Sequence, residues 1–177
     1  ENTKIASQEK IDGVMTICSE TAVPTVSGIA EKLKLPSYSM DTAIKATNKT
    51  EMRKALKKFN VNVSPYEISS ELEAVIEFTN SYSGPWVIKP VDSSGQRGTY
   101  VFSDKRNLKY YFETAKSFSK TDEVLIDKFI KGPEIHVGMQ VINEKVHFLA
   151  FSDRITLNET HFGIAIRHIG PSRMNLQ

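Results

Sequence analysis

The stretch "VIKPVDSSGQRGTY", residues 87–100, sets a lysine inside an apolar run and follows it with a serine- and glycine-rich bend that returns to apolar chain. If residues 86–91 are extended, Val87, Lys89 and Val91 share one face while Trp86 and Ile88 share the other. An ammonium between two valines costs on the order of several kcal/mol unless water or an anion meets it. Pro90 has no N–H for a ladder, so the strand is expected to end where Lys89 points. Two readings of Lys89 stand: it reaches water from an edge strand, or it serves a bound anion. Ser93, Ser94, Gly95 and Gly98 favour the second, because small residues let a ligand approach backbone N–H groups, and Arg97 adds a cation. The bend is neither a Walker A loop nor a G-x-G-x-x-G turn, and kinase signatures are absent.

Working outward, "PWVIKPV" and "GTYVFS" are expected to form a hairpin with a long connection. A helix precedes it in "SSELEAVIEFTN", with Ser70 and Glu73 as cap pair and Leu72, Val75 and Ile76 as buried stripe. Another follows in "DKRNLKYYFETAKSF", with Leu108, Tyr111, Phe112 and Ala115 facing inward. Upstream, "ATNKTEMRKALKKFN" predicts a helix over residues 49–59, started by Asn48 with Glu51 and burying Met52, Ala55, Leu56 and Phe59. Near the start, "DGVMTIC" is expected to be a short strand ending in a buried Cys18. "AVPTVSGIAEKLKL" then places Val23, Val26, Ile29, Ala30 and Leu33 on one helical face. From Glu123 onward, "EVLIDKFI", "EIHVGMQVI" and "KVHFLAFSDRITL" are expected to form an antiparallel sheet, with Asn143-Glu144 able to turn the second into the third.

Composition sets the outer limits. The chain has 177 residues, 40% hydrophobic and 25% charged, enough for one modest domain or parts of two. A net charge of +2 is too mild for the basic face that a nucleic-acid backbone requires. A single cysteine excludes an intrachain disulfide and a multi-cysteine zinc site. No apolar run approaches the roughly 20 residues that cross a bilayer, and no signal peptide is evident, so a cytoplasmic location is expected. The opening "ENTKIASQEK" and the closing "PSRMNLQ" read as edges of a longer polypeptide.

Lys49 would stand at the first position of its helix, where the macrodipole disfavours a cation. A bound phosphate would reverse that penalty, since both the lysine and the free N–H groups favour negative charge. An ordinary solvated lysine remains the plain alternative.

"ATNKTEMRKAL", "WVIKPVDSSGQRGTYVF" and "EVLIDKFIKGPEIHVGMQV", in this order and spacing, resemble the ATP-grasp superfamily. Within it the similarity is to the carbamoyl-phosphate synthase, biotin carboxylase and amino-acid ligase branch. The fold class implied is α/β, an incomplete ATP-grasp fold. Residues 1–40 resemble the end of the preceding Rossmann-like domain. Residues 41–177 would be the truncated ATP-grasp domain, with a helix-strand-strand-helix lid over about residues 62–126 and the start of an antiparallel sheet.

The resemblance implies ATP as cofactor, with Lys49 and Lys89 on its phosphates and Ser93, Ser94, Gly95 and Gly98 in a mobile loop over the triphosphate. It places Asp127, Lys128, Phe129 and Ile130 along the adenine and Glu134 on the ribose hydroxyls, a role suited to a carboxylate that accepts two O–H donors. Strand alternation would put Leu125, Asp127 and Phe129 on one face, and His136 on the face of Glu134. "THFGIAIRHIGPSRM" resembles the segment leading towards the substrate, where Arg167, His168 and Arg173 would meet a carboxylate or acyl phosphate. Mg²⁺ is implied too, but no Glu-x-Asn pair occurs before Gln177, so its ligands are expected beyond that residue.

The activity implied for the full-length protein is an ATP-dependent carbon–nitrogen ligase that activates a carboxylate or bicarbonate as an acyl phosphate for an amine. Its partners would be ATP and small carboxylate and amine substrates, with neither nucleic acid nor membrane, and a homodimer is left open. The alternative is a non-catalytic nucleotide-binding or regulatory module on the same fold.

Overall fold

The computed structural model describes residues 1–157 and 163–174. The chain divides into two units, Glu1–Lys128 and Phe129–Gln177. In chain order the first holds α1 (Asn2–Gln8), α2 (Val23–Leu33), α3 (Met40–Thr47), α4 (Lys49–Lys58), β1 (Tyr66–Ser69), α5 (Leu72–Ser81), β2 (Trp86–Pro90), β3 (Tyr100–Phe102), α6 (Leu108–Ser117) and β4 (Val124–Lys128). The second holds β5 (Glu134–Ile142), β6 (Lys145–Thr156) and β7 (Ala165–Ile169).

In the first unit the strands form an antiparallel sheet in the order β1-β4-β2-β3. β4 therefore belongs here, not to the later antiparallel sheet where its sequence position had suggested it. Strand pairing is non-local, and a continuous apolar run such as "EVLI" does not name its neighbour. One sheet face packs on α5 and α6, where Trp86, Ile88, Phe102, Val124 and Ile126 meet Val75, Phe78, Leu108, Phe112 and Ala115. Tyr111 is partly buried against this core, in line with the predicted stripe of α6. Ile76 is 40% exposed, and Phe78 and Thr79 take its place. Glu71, not Ser70, is the N-cap of α5, and Ser70 Oγ donates to Glu71 Oε1 (3.2 Å).

α4 begins as predicted: Asn48 Oδ1 accepts from the Glu51 N–H (3.1 Å) and satisfies one of the orphan donors of the first turn. Its apolar stripe is half borne out: Ala55 and Leu56 are part-buried, as are Lys49 and Arg53 one turn apart, while Met52 and Phe59 are exposed. α3, capped by Ser39 Oγ accepting from Thr42 N (3.1 Å), runs into α4 through Asn48, which is C-cap of one and N-cap of the other. α2 buries Val26, Ile29 and Ala30 as expected.

Residues 12–18 form no strand; Met15 and Ile17 are 74% and 73% exposed, and Cys18 is exposed with φ +58°. Among the described residues no neighbouring strand offers this run a ladder, so apolar composition alone does not make it one.

In the second unit β5, β6 and β7 form an antiparallel sheet in that order. Asn143 and Glu144, both at positive φ (48° and 65°), make the predicted turn between β5 and β6.

Candidate functional site

β2 lies between β4 and β3, but its pairing with β3 ends at Ile88, so Lys89 pairs with β4 alone. The register sets Val87 opposite Asp127 and Lys89 opposite Leu125, which puts Lys89 and Asp127 on the sheet face away from α5 and α6. Lys89 Nζ lies 2.7 Å from Asp127 Oδ2. The other oxygen, Oδ1, accepts from Arg53 Nη2 (2.8 Å) and from Ser64 Oγ (3.3 Å). Asp127 is buried, at 4% exposure, and the guanidinium of Arg53 also lies 5.2 Å from the Tyr66 ring centroid. One buried carboxylate thus holds two cations, an arrangement whose net charge remains positive. The resemblance implies a place along the adenine for Asp127; in the structure its carboxylate also pairs with Lys89. Arg53 was not singled out, although its position four residues after Lys49 on a helix was a readable signal.

Lys49 anchors α4 to the end of β2. Its N–H donates to Val91 O (2.8 Å) and its Nζ to Ser93 O (2.8 Å). Burial, together with the nearby Lys89 ammonium, holds the Lys49 pKa below its ordinary 10.5, against the opposing pull of Glu20 and Asp92. The Thr50 hydroxyl, in the same helical turn, is the buried side-chain oxygen without a hydrogen-bond partner among the described residues. A cleft of about 200 Å³ lies at the N-terminal end of α4, lined among others by Glu20, Thr47, Asn48, Asp92, Ser93 and Lys120.

The bend itself has two unlike ends. Gly98, at φ +69°, is pressed against α6: a Cβ there would stand 2.9 Å from the Phe118 ring and 3.2 Å from Ala115 Cα. Gly95, also at φ +69°, has open space around its Cβ position. Ser94 O accepts from Arg97 Nε (3.4 Å), and the Asp92 carboxylate accepts from the Lys120 N–H (3.0 Å to each oxygen). The loop is therefore docked at its Gly98 end and open around Gly95.

β4 ends at Lys128, whose N–H donates to Pro65 O (2.9 Å), so Phe129 falls outside the strand alternation assumed for it and Ile130 is 71% exposed. In the second unit Glu134, Arg154 and His168 lie in register across β5, β6 and β7. Glu134 Oε2 accepts from Arg154 Nη1, and Oε1 from Thr156 Oγ1 (3.2 Å). A carboxylate with about four lone-pair sites keeps capacity for further donors. The His136 and His168 rings meet edge-on at 5.3 Å. Arg167, opposite Ile155, projects from the other face of β7 than His168. The backbone N–H of Arg173 donates to the Asp153 carboxylate (3.3 and 3.4 Å). Arg154 could be found only from the register. Thr160, His161 and Phe162 of the "THFG" segment lie outside the described residues.

Among the described residues no helix is long and apolar enough to cross a membrane. The family model described as "Carbamoyl-phosphate synthase L chain, ATP binding domain" matches residues 48–168. The large chain of carbamoyl phosphate synthase from Clostridium acetobutylicum is 26% identical over 92% of this chain and 15% of its own length. The N-terminal section of that large chain from Methanopyrus kandleri is 26% identical over 73% of this chain and 24% of its own. This chain therefore spans under a quarter of the length of these relatives. Among solved structures, an L-amino acid ligase from Bacillus licheniformis superposes with a TM-score of 0.79 at 24% identity, over 97% of this chain and 39% of its own. The ADP complex of N5-carboxyaminoimidazole ribonucleotide synthetase gives 0.81 at 18%, over 99% and 45%. These identities carry the fold alone, and the fold is part of an ATP-grasp fold. With a family match across most of its length, from the cap of α4 to His168 in β7, the chain belongs to the carbamoyl-phosphate synthase L chain ATP-binding domain family.

Proposed function

We propose that this chain supplies the triphosphate-binding part of an ATP-dependent ligase, in which ATP activates a carboxylate or bicarbonate as an acyl phosphate for attack by an amine. The observation that carries the reading is the half-buried Lys49, its pKa lowered by burial and by Lys89, beside an orphaned Thr50 hydroxyl. Lys49 and Lys89 take the phosphates, and the backbone of Ser93, Ser94, Gly95 and Gly98 closes over them from the docked end at Gly98. Asp127, Lys128, Phe129 and Ile130 are offered for the base and Glu134 for the ribose. Arg167, His168 and Arg173 are offered for the carboxylate or acyl phosphate. Residues 1–40 are read as the end of a Rossmann-like domain, and 41–177 as ATP-grasp with a lid over about 62–126.

Mg²⁺ bound with ATP would neutralise phosphate oxygens during transfer. The donors near Lys49 and Lys89 suit phosphate oxygens rather than the metal, and we assign it no ligand in this chain. The protein's own contribution is positional and electrostatic: fixed cations meet charge that develops on the transferring group. The test is ADP release by the complete protein across amino acids, bicarbonate and small carboxylates, with and without amines. Release that depends on one acid and one amine is expected; ATP binding without any acid-dependent release would favour a non-catalytic module.

Below the folded-state pKa of Lys49 the buried ammonium opposes folding, and this opposition is relieved as pH rises through that pKa towards 10.5. A phosphate favours the charged form, so nucleotide affinity should fall with rising pH earlier than an ordinary lysine dictates. Titrations of ATP across the alkaline range should show this fall in the wild type and a flatter curve in Lys49→Arg, whose guanidinium stays charged.

A further inference from the structure

Lys89 is already spoken for. Its ammonium sits 2.7 Å from Asp127, whose side chain is 6% exposed, and a phosphate that recruits Lys89 competes with that carboxylate. If Lys89 were the sole partner, its departure would leave a buried anion unpaired, at a cost that would be subtracted from binding. Arg53 removes that cost. It reaches Asp127 from α4, through the oxygen that Lys89 does not use, and its side chain is 18% exposed. The helix that carries Arg53 also carries Lys49, one turn earlier, so a single element presents one cation for a ligand and another for the resident carboxylate.

We propose that Arg53 is a positioning residue, the standing counter-cation of Asp127 that lets Lys89 be handed from that carboxylate to a nucleotide phosphate. The proposal rests on the nucleotide reading above and adds an exchange to it. Two cations share one carboxylate before binding; one cation remains with it afterwards, and the other neutralises the ligand. Arg suits the standing role because its planar fork reaches Oδ1 while its face lies 5.2 Å from the Tyr66 ring, contacts a lysine cannot reproduce together.

The test is a double-mutant cycle on ATP affinity in the complete protein, with Arg53→Met, Asp127→Asn, the pair, Arg53→Lys, and Lys89→Met as reference. Arg53→Met is expected to weaken ATP by about tenfold, within the range of couplings between contacting charges, although Lys89 and Lys49 are intact. In the Asp127→Asn background the same substitution should change affinity by about twofold or less, because no buried charge is left to neutralise. Arg53→Lys should recover part of the loss, and it stands in for Arg53→Met if the latter fails to fold by thermal melting. Equal weakening in both backgrounds would mean that Arg53 touches the nucleotide itself and would overturn the proposal. So would an unchanged affinity in Arg53→Met and Arg53→Lys while Lys89→Met loses binding, an outcome that leaves the nucleotide reading standing. Unchanged affinity in Lys89→Met as well would remove both.

Discussion

Asp127→Ala is expected to destabilise the first unit by about 3 kcal/mol, the lower end of the cost of breaking a buried ion pair by removing one partner. The substitution leaves the Lys89 ammonium and the Arg53 guanidinium facing one another with no anion between them. Lys89 and Arg53 side chains are 24% and 18% exposed, so water reaches both and holds the cost to that lower end. It also removes the acceptor of Ser64 Oγ. Asp127→Asn, which keeps shape and one acceptor, should lose less. Urea unfolding followed by Trp86, buried at 4% in the core of the same sheet, is a suitable readout. A midpoint for Asp127→Ala equal to that of the wild type would show that the triad adds nothing to the sheet.

Lys89→Met should act in the opposite way, with little change in folding and a large loss of ligand. Methionine keeps an unbranched apolar stem between the flanking strands, and Arg53 continues to neutralise Asp127. ATP affinity should fall about 100-fold, since truncating one partner of a hydrogen-bonded charge pair costs roughly 2–5 kcal/mol. Calorimetric titration checks the affinity, and thermal melting checks that the fold survives. Were Lys89 a purely structural cation, melting would drop and affinity at a folded concentration would not.

The parts of this architecture that were legible in the sequence are the ones written locally. Asn48 and Glu51 announced the start of α4, and the cap bond between them is present. The alternation around Lys89 put Trp86 and Ile88 together on the opposite face, and that face packs in the core. Asn143-Glu144 marked a tight turn because two successive positive φ angles follow from that kind of hairpin. The ATP-grasp resemblance rests on three motifs in register, and the family match covers all of them except Ala46 and Thr47 at the start of the first.

What was not legible depended on pairing between distant segments. "EVLIDK" carries no mark that its partners are Tyr66–Ser69 and Trp86–Pro90, yet that register is what brings Asp127 to Lys89. Arg154 meets Glu134 across a strand pair twenty residues apart in sequence, which no spacing rule reaches. Helical periodicity was only half right in α4: Ala55 and Leu56 are part-buried as it required, but Lys49 and Arg53 are part-buried too and Met52 and Phe59 are exposed. Cys18 read as core because it is apolar, but burial needs a neighbouring element as well as a favourable side chain.

The central claim is that Lys49 and Lys89 form a site for nucleotide phosphates, and the most direct measurement is the preference for ATP over adenosine. Calorimetric titration of both ligands into the wild type and into Lys49→Met/Lys89→Met should show a strong preference for ATP in the first and nearly equal, weak binding in the second. An ATP preference in the double variant as large as in the wild type would contradict the claim and place the phosphate contacts elsewhere.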